Sequence, residues 1–408
     1  MTKLPQGWEW KSLGEIFNIE RGGSPRPIKK FLTDKEDGIN WIKIGDIKNQ
    51  KYLYKTEEKI IQEGLKKSKL VIEGDLLVSN SMSFGKPVIV KLQKGAIHDG
   101  WLLLKEKINL NKEYFYYLFS SNFMYSFLSY QASGSTVKNL NIDKLKQIEI
   151  PLPPLKEQER IVGILDESFA KIDESIKILE QDLLNLDELM QSALQKAFNP
   201  LKDNAKENYK LPQGWEWKSL NSVLLKTSNI NPCDFNENKF YYIDISSIDN
   251  KNFCICDIKI IDKQNAPSRA RKDVLCGDIL YATTRPNLKN IAINYYDFNN
   301  IVASTGFCVL RANKNLNNKY LFFFLLSDIF DKNISKYIRG TQYPSVSDKD
   351  VFNSKIPLPP LQEQEQIASH LDELSSHVKN LKQNYQAQIK DLQELKNSLL
   401  DKAFKGNL

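Results

Sequence analysis

Long apolar runs and cysteines are both scarce in this chain. No run approaches the roughly 18 to 20 residues of a membrane-spanning helix, and the longest, Tyr320 to Leu326, has the length of a core segment. The five cysteines are an odd number, all lie in the second half, and none forms a Cys-x-x-Cys pair. A disulfide scaffold and a zinc site are therefore disfavoured. With no targeting pattern at the N-terminus either, we expect a cytoplasmic protein with free thiols.

The common sequence motifs of catalysis are missing as well. His370 and His377 lie in a helical pattern, where a solvated or partner-facing stripe explains them better than a metal site. No phosphate-binding Gly-x4-Gly-Lys-Ser/Thr loop occurs, since Gly85-Lys86 is followed by Pro87. The Pro-Pro pairs are flanked by leucine and do not form the Asn/Asp-Pro-Pro-Tyr/Phe signature of methyltransferases. We therefore predict no catalytic residues and no metal site; an enzyme with a divergent site is the alternative.

The chain consists of two copies of one long sequence pattern. The segment Leu4–Leu13 returns unchanged at Leu211–Leu220, and Ile150–Leu155 returns at Ile356–Leu361, each followed one residue later by Glu-Gln-Glu. The two offsets, 207 and 206 residues, far exceed the about 20 to 50 residues of a solenoid repeat. The sequence therefore predicts a tandem pair of similar, domain-sized modules.

Positive charge is concentrated in two blocks of the chain. Residues 1–150 carry 24 basic and 17 acidic side chains, and residues 201–357 carry 22 and 16. The segments that follow them are acidic or nearly neutral, with 5 basic and 10 acidic side chains in 151–200 and 6 and 7 in 358–408. Two basic blocks separated by non-basic ones favour two contacts with one polyanion. Chance scatter of charge is the alternative.

Each copy ends in a long amphipathic pattern. Apolar residues recur every three or four positions from Leu165 to Ala197 and from Leu371 to Leu399, with charged residues between them. Stripes sustained over several heptads are typical of coiled-coil helices, and the Pro-Pro pair before each suits a first helical turn. Because a helix of about 60 Å with one apolar face needs a partner, we expect the two helices to pair antiparallel.

The remaining sequence is predicted to form two globules with both strands and helices. Period-two runs at Trp41–Ile44 and Tyr242–Ile245 predict strands, and aromatic-rich runs at Tyr114–Phe119 and Tyr320–Leu326 predict buried helices. The expected fold class is α+β, with two similar domains joined by two long antiparallel coiled-coil helices in a pseudo-two-fold arrangement. The predicted boundaries are 1–152 for the first globule, 153–200 for the first long helix, 201–210 for a linker, 211–358 for the second globule and 359–405 for the second long helix.

The repeated motifs carry a family resemblance that covers essentially the whole chain. Two modules that each open with Gly-Trp-x-Trp-x-x-Leu and close with Ile-Pro-Leu-Pro-Pro-Leu-x-Glu-Gln before a long helix resemble the DNA-specificity subunits of type I restriction-modification enzymes. The doubled proline-rich exit is the specific part of the match, since one Gly-Trp-x-Trp alone is a weak signal. The resemblance implies two target-recognition domains, each reading one half of a split, asymmetric site in double-stranded DNA.

The same resemblance implies partners and a division of labour. The long helices would set the unread spacer and dock two methyltransferase subunits, and two motor-nuclease subunits would complete the restriction complex. The implied chemistry is adenine methylation and DNA cleavage by those subunits. This chain would hold no cofactor, whereas S-adenosylmethionine, ATP and Mg would belong to the partner subunits.

Loops rich in turn formers, hydroxyls and cations are the candidate DNA contacts of the first module. Arginine, lysine and small polar side chains are the types that bind phosphates and base edges. Ordinary solvated loops are the alternative. The candidate residues are Arg21, Ser24, Arg26, Lys29, Lys30, Ser79, Asn80, Ser83, Lys86, Ser135, Thr136, Lys138 and Asn139.

The second module offers loops of the same kind at related positions. The Thr283–Asn290 loop lies where Ser79–Lys86 lies in the first module, which strengthens its assignment as a DNA contact. The candidates are Arg269, Arg271, Lys272, Thr283, Thr284, Arg285, Asn287, Lys289, Asn290, Arg339, Thr341, Gln342 and Tyr343. The identical Gly-Trp-Glu-Trp segments are instead predicted to anchor each module to the long helices, because the module interiors differ while these segments do not. A scaffold whose two globules bind proteins is the alternative function.

Overall fold

The computed structural model of the chain describes residues 4–47, 50–80, 85–132, 140, 142–203 and 209–408. By its internal contacts the chain divides into two units: unit 1 is Met1–Ile178 with Ala387–Leu408, and unit 2 is Leu179–Gln386. Each unit therefore contains one globule, the beginning of one long helix and the end of the other. No helix in the described ranges is long and apolar enough to cross a membrane.

The described residues of unit 1 form the strands and the shorter helices of the first copy. Its strands are β1 Glu9–Ser12, β2 Phe17–Arg21, β3 Leu32–Thr33, β4 Ile39–Ile42, β5 Tyr52–Leu53, β6 Glu58–Ile60, β7 Lys69–Ile72, β8 Leu76–Ser79, β9 Pro87–Val90, β10 Lys94–Ile97, β11 Trp101–Glu106 and β12 Glu149–Leu152. Its helices are α1 Leu13–Ile16, α2 Gln62–Leu65, α3 Lys112–Ser120, α4 Asn122–Ala132, α5 Ile142–Lys146 and the beginning of α6 Leu155–Phe198.

Two five-stranded sheets make up the body of unit 1. Their strand orders are β3-β6-β4-β10-β7 and β2-β11-β8-β9-β5, and β4 runs parallel to β10. The turn from β10 to β11 is important for the site. Strand β10 lies in the first sheet and β11 lies in the second. This turn therefore connects the two sheets at one place.

Unit 2 repeats most of this order of elements. Its strands are β13 Glu216–Ser219, β14 Leu224–Leu225, β15 Lys239–Ile243, β16 Ile248–Asp249, β17 Cys254–Ile255, β18 Lys259–Asp262, β19 Ala270–Asp273, β20 Ile279–Ala282, β21 Ile291–Ile293, β22 Ile301–Ser304, β23 Phe307–Ala312 and β24 Lys355–Leu358. Its helices are α7 Leu220–Val223, α8 Asn318–Leu326, α9 Asp328–Ser335, α10 Asp348–Asn353 and the beginning of α11 Leu361–Phe404.

The sheets of unit 2 match those of unit 1 with fewer strands. Their orders are β18-β15-β22-β19 and β14-β23-β20-β21, and β15 runs parallel to β22 as β4 does to β10. The turn from β22 to β23 again connects the two sheets. The predicted α+β class is confirmed, as are the buried aromatic helices, which are α3 and α8.

The duplicated sequence motifs pair with each other inside each unit. Strand β1, from the Gly-Trp-Glu-Trp segment, pairs antiparallel with β12, which carries the proline-rich exit, and β13 pairs with β24 in the same way. The hydroxyls of Tyr114 and Tyr320 donate to the exit carbonyls of Pro151 and Pro357, at 3.2 and 2.6 Å. The repeated segments therefore fix where each globule ends and its long helix begins.

A buried glutamine ties each long helix to its globule. Gln158 in α6 accepts a hydrogen bond from the Asn111 amide at 2.9 Å and donates to the Pro153 carbonyl at 2.9 Å. Gln364 in α11 repeats this contact with the Asn317 amide at 2.9 Å. Asn111 and Asn317 are the caps of α3 and α8, so the glutamine of the Glu-Gln-Glu motif joins two helix starts.

Replacing Gln364 by alanine is expected to destabilise unit 2 by about 3 kcal/mol, because three buried hydrogen bonds would be lost. Besides the Asn317 amide, the side chain donates to the Asn315 and Pro359 carbonyls at 3.1 and 2.9 Å. The measurement is the midpoint of urea unfolding. The control is Gln366→Ala on the exposed side of the same helix, which should shift stability by less than about 0.5 kcal/mol. Equal effects of the two variants would contradict this role.

The two long helices run antiparallel in each unit, as predicted. In unit 1 the start of α6 packs on the end of α11, with Leu165 and Phe404 in one core. In unit 2 the end of α6 packs on the start of α11, with Phe198 and Leu371 in one core. Each repeated Lys-Ala-Phe segment thus inserts its phenylalanine into the globule of the other copy.

Ion pairs between the helices have the same register in both units. In unit 1 the ammonium of Lys396 lies 2.7 Å from the carboxylate of Asp173, and in unit 2 Lys382 pairs with Asp187. Asp173 and Asp187 are 14 residues apart, as are Lys382 and Lys396, and 14 residues are two heptads. The two ion pairs therefore occupy equivalent heptad positions, one in each unit.

Candidate nucleic-acid interface

The β10–β11 turn, residues 98–100, brings two of the predicted segments of unit 1 together. Arg21, at the end of β2, donates from Nε to the carbonyl of Asp99 at 2.9 Å, and Ser24 donates to the Asp99 carboxylate at 2.8 Å. On the other side of the turn, the Asn80 amide donates to the Gly100 carbonyl at 2.7 Å. The turn thus contacts both the start of the Arg21–Lys30 segment and Asn80, the residue that follows β8.

Two glycines allow this close approach. A Cβ at Gly22 would lie 2.2 Å from the carbonyl oxygen of His98, and a Cβ at Gly23 would lie 2.4 Å from that of Lys67. Real side chains do not fit at these distances. The Arg21-Gly22-Gly23 sequence is therefore required for the loop to pass between the turn and the segment before β7.

Asp99 is the negative charge at the centre of this arrangement. Partial burial acts to raise the pKa of its carboxyl, but the Ser24 hydroxyl and the charges of His98 and Arg21 outweigh burial and lower that pKa. The imidazole of His98 lies 2.9 Å from the same carboxylate. A charged Asp99 accepts the Ser24 hydrogen bond at neutral pH, and within the described ranges no hydrogen bond or ion pair engages the Nη groups of Arg21.

The other predicted residues of unit 1 differ in exposure. Arg26 is exposed, and so are Lys29 and Lys30 in a 3-10 turn, Ile28–Lys30. Lys86 is also exposed, whereas Ser79 and Asn80 are buried. The Ser79 hydroxyl accepts a hydrogen bond from the Lys86 amide at 2.9 Å. It therefore joins the two ends of the 79–86 segment and has a structural role. The predictions for Ser83, Ser135, Thr136, Lys138 and Asn139 fall outside the described residues.

Sequence reasoning missed two exposed lysines beside this cluster. Lys66 and Lys67 lie between α2 and β7, and the Lys67 carbonyl is the atom that Gly23 approaches. The sequence repeat contained a signal that could have identified Lys66. Gly74 and Gly277 align with an offset of 203, and the same offset places Lys66 at the position of Arg269.

In unit 2 the β22–β23 turn, Thr305 and Gly306, connects the predicted segments in the same way. The Thr305 amide donates to the carbonyl of Arg269 at 2.8 Å. The amide and hydroxyl of Thr283 donate to the carbonyl of Gly306 at 2.8 and 3.0 Å. Thr283 and Asn290 are buried and support the loop, while Arg269 is exposed.

The Thr283–Asn290 loop and the Arg339–Tyr343 segment are joined directly. The Arg285 amide donates to the Pro344 carbonyl at 2.7 Å, and Thr284 and Ser345 form a bridge. The Arg285 guanidinium lies over the ring of Tyr343, 5.2 Å from its centroid. The exposed side chains of these two segments are Thr284, Arg285, Asn287, Arg339, Thr341, Gln342 and Tyr343.

Several cationic side chains of unit 2 form ion pairs with carboxylates. Lys272 lies 2.7 Å from Asp348, and Lys289 lies 2.6 Å from Asp331. Burial raises the pKa of Asp331, although Lys289 opposes that shift. The ion pair of Arg339 with Asp350 is longer, at 3.5 Å, and Arg271 donates to the Ala270 carbonyl at 2.8 Å. Lys272 and Lys289 therefore hold the loops together.

Comparison with known proteins places the whole chain in one group. The model of the type I restriction modification DNA specificity domain matches residues 5–183 and 212–391, once for each copy. A type I restriction enzyme MjaIX specificity subunit from Methanocaldococcus jannaschii is 26% identical, over 100% of this chain and 94% of that protein. The EcoKI specificity subunit from Escherichia coli is 23% identical, over 100% of this chain and 90% of that protein.

Solved structures agree on the fold. A chain from a study of complex assembly and conformational transition of the type I R-M system superposes with a TM-score of 0.77 at 23% identity, and each chain is covered completely. The HsdS subunit from Thermoanaerobacter tengcongensis gives a TM-score of 0.62 at 24% identity, over 100% of this chain and 98% of that one. Both likenesses establish the fold of the chain from end to end.

Proposed function

This chain belongs to the family of type I restriction modification DNA specificity domains, and from that premise we propose that it directs a type I restriction-modification complex to a split DNA site. Each unit reads one half of the site. The observation that carries this assignment is the equivalent turn in each unit, at 98–100 and 305–306, where loops with exposed arginines meet. Arginine beside small polar side chains suits both base edges and phosphates.

The two units read different half-sites because their loops differ while their frames agree. At the turn, unit 1 carries Asp99 with Arg21 and Ser24, whereas unit 2 carries Thr305 and holds Arg285 against Tyr343. The strand pairing around the turns is shared. A common frame with unlike loops supports an asymmetric target, each half with its own sequence.

The long helices set the spacing and dock the catalytic subunits. Large apolar side chains stay exposed along them, with Ile178 and Leu395 in unit 1 and Leu184, Leu189 and Leu381 in unit 2. Exposed leucines on paired helices are typical of surfaces that bind further helices. The complex would hold two methyltransferase and two motor-nuclease subunits, with S-adenosylmethionine, ATP and Mg bound by them. The chain itself would perform no catalysis and would act in the cytoplasm.

The test is a map of DNA methylation across the genome of a host that has the methyltransferase subunit, with and without this chain. We expect a split motif of two defined half-sites around a fixed gap, present only with the chain. An active methyltransferase that gives no chain-dependent motif would overturn the proposal and favour a protein-binding scaffold.

A further inference from the structure

We propose that Arg285, whose guanidinium lies over the ring of Tyr343, is the guanine-reading residue of unit 2. The inference rests on the proposed function and adds to it a residue, a base and a positioning partner. It comes from a difference among the cations of unit 2: Lys272, Lys289 and Arg339 pair with carboxylates, whereas Arg285 lies over an aromatic ring.

The kind of partner decides what an arginine can still bind. A carboxylate uses the N–H groups of a guanidinium, as Asp350 does for Arg339 and as Asp273 and Asp278 do for Arg311. A ring under the guanidinium plane uses only its face. The guanidinium carbon of Arg285 lies 5.2 Å from the Tyr343 centroid, and among the described residues no hydrogen bond or ion pair engages its N–H groups.

Guanine is the base whose acceptors match the paired N–H groups of a guanidinium. Its O6 and N7 atoms are adjacent acceptors in the major groove, and two N–H groups of one guanidinium match them in a bidentate contact. Arg285 and Tyr343 are both exposed, the tyrosine by 69%. Arg285 therefore presents its donors at the surface and not inside a pocket.

The backbone holds this arginine in a fixed direction. Arg285 has φ 50° and ψ 56°, a left-handed conformation that is uncommon for a residue with a side chain. Its amide donates to the Pro344 carbonyl at 2.7 Å, and its carbonyl accepts from the Leu288 amide at 2.9 Å. Strained residues fixed on both sides in this way are concentrated at binding sites. Less freedom is then lost when the base binds.

Arg269 provides the internal contrast. It is exposed in the turn just before β19 and lies beside the β22–β23 turn, where its carbonyl accepts from the Thr305 amide; among the described residues its side chain forms no hydrogen bond or ion pair. A side chain without a fixed direction suits a phosphate contact, because that contact requires positive charge and does not require two N–H donors held in one plane. We therefore assign Arg269 to the DNA backbone and Arg285 to a base.

The experiment maps methylation motifs for variants of the full chain combined with the methyltransferase subunit. Arg285→Ala and Arg285→Lys should both relax one G·C position in one half-site, lowering discrimination against other base pairs by about 10- to 100-fold. Arg285→Asn should do the same, and asparagine tolerates the left-handed backbone. The other half-site should stay unchanged. Finding a G·C pair in the wild-type motif is no test, because most half-sites contain one by chance.

Tyr343 is tested as a positioning residue by two substitutions. Tyr343→Phe keeps the ring and should preserve the motif, whereas Tyr343→Leu should relax the same G·C position as the Arg285 variants, to a smaller extent. The control is Tyr295→Leu, which changes another exposed tyrosine of unit 2 that lies outside the candidate DNA-binding segments. This variant should leave the motif intact. Arg269→Ala should weaken binding to all sequences alike.

The outcomes separate this inference from the proposed function. A wild-type chain that produces no split motif overturns the proposed function. A normal split motif that keeps every G·C requirement in Arg285→Ala overturns only the inference. Full discrimination with Arg285→Lys, or a uniform loss at all sequences with Arg285→Ala, would mark Arg285 as a phosphate contact and would also overturn it.

Discussion

Duplicating one heptad in both long helices is expected to abolish methylation at the original site and to create a site whose gap is about three base pairs longer. The duplicated segments are residues 174–180 of α6 and 389–395 of α11, each inserted directly after itself. Seven helical residues add about 10.5 Å, and a base pair occupies about 3.4 Å along the duplex axis. Both half-site sequences should be unchanged.

The register of the helices determines where these insertions can be made. The pairs Asp173–Lys396 and Asp187–Lys382 have the same sum of residue numbers, and segments 174–180 and 389–395 lie between these pairs in the sequence with that same sum. Duplicating both segments keeps the paired residues and adds one full repeat of the apolar stripe to each helix. A heptad also keeps the stripe on one side of each helix.

Genome-wide methylation mapping measures the result. The matched control duplicates 174–180 in α6 alone, which leaves the added heptad without a partner and displaces one ion pair from its register. That variant should methylate neither the original nor the extended site. A two-helix variant that folds, assembles and still methylates the original gap would show that the helices do not set the spacing.

Repetition made most of the fold predictable from the sequence. Positions that recur at a constant offset, such as Gln158 and Gln364, turn out to hold equivalent buried hydrogen bonds. The helix patterns predicted two long helices and their antiparallel pairing, and α6 and α11 each span 44 residues. Periodicity succeeds here because one apolar stripe per helix leaves few ways to bury it.

The exchange of helix ends between copies follows from the predicted antiparallel pairing, but the phenylalanines that make the contacts were not identified from the sequence. Phe198 and Phe404 have the same sequence context, and nothing in that context says which globule they enter. The structure places Phe198 against Tyr320 and Phe404 against Tyr114. An antiparallel pair requires this result, since the end of each helix then lies beside the start of the other.

Loop chemistry was predicted better by segment than by residue. Composition identified the segments that meet at the two turns, but it could not separate buried from exposed members. Ser79 and Thr283 are polar loop residues in the sequence and structural hydrogen-bond partners in the fold. The direction of a side chain depends on contacts with residues far along the chain, such as Arg21 with Asp99, which no local pattern encodes.

Removing the two lysines found only from the structure is expected to weaken binding to every DNA sequence. The double variant Lys66→Ala/Lys67→Ala should lower affinity about 30-fold near 0.15 M salt, because each lost phosphate contact removes a counterion-release term of about 0.9 in the slope of log affinity against log salt. The slope itself should fall in magnitude by about 1.8. Both lysines are exposed beside the loop that carries Arg21.

The measurement is fluorescence anisotropy of labelled duplexes bound by the chain in complex with the methyltransferase subunit, across a range of KCl concentrations. The control is Lys105→Ala/Lys146→Ala, which removes two exposed lysines of unit 1. Lys105 pairs with Asn18 at the end of β11 that is remote from the 98–100 turn, and Lys146 lies against Gly14. This control should leave affinity and slope unchanged.

The pattern of loss distinguishes the possible roles of Lys66 and Lys67. Equal loss on specific and random duplexes, with an unchanged methylation motif, is the result expected of phosphate contacts. A loss confined to duplexes that carry one half-site would show that the lysines read bases. An unchanged salt slope would place the DNA elsewhere on unit 1, and the 98–100 turn would then lose its assignment as the centre of that interface.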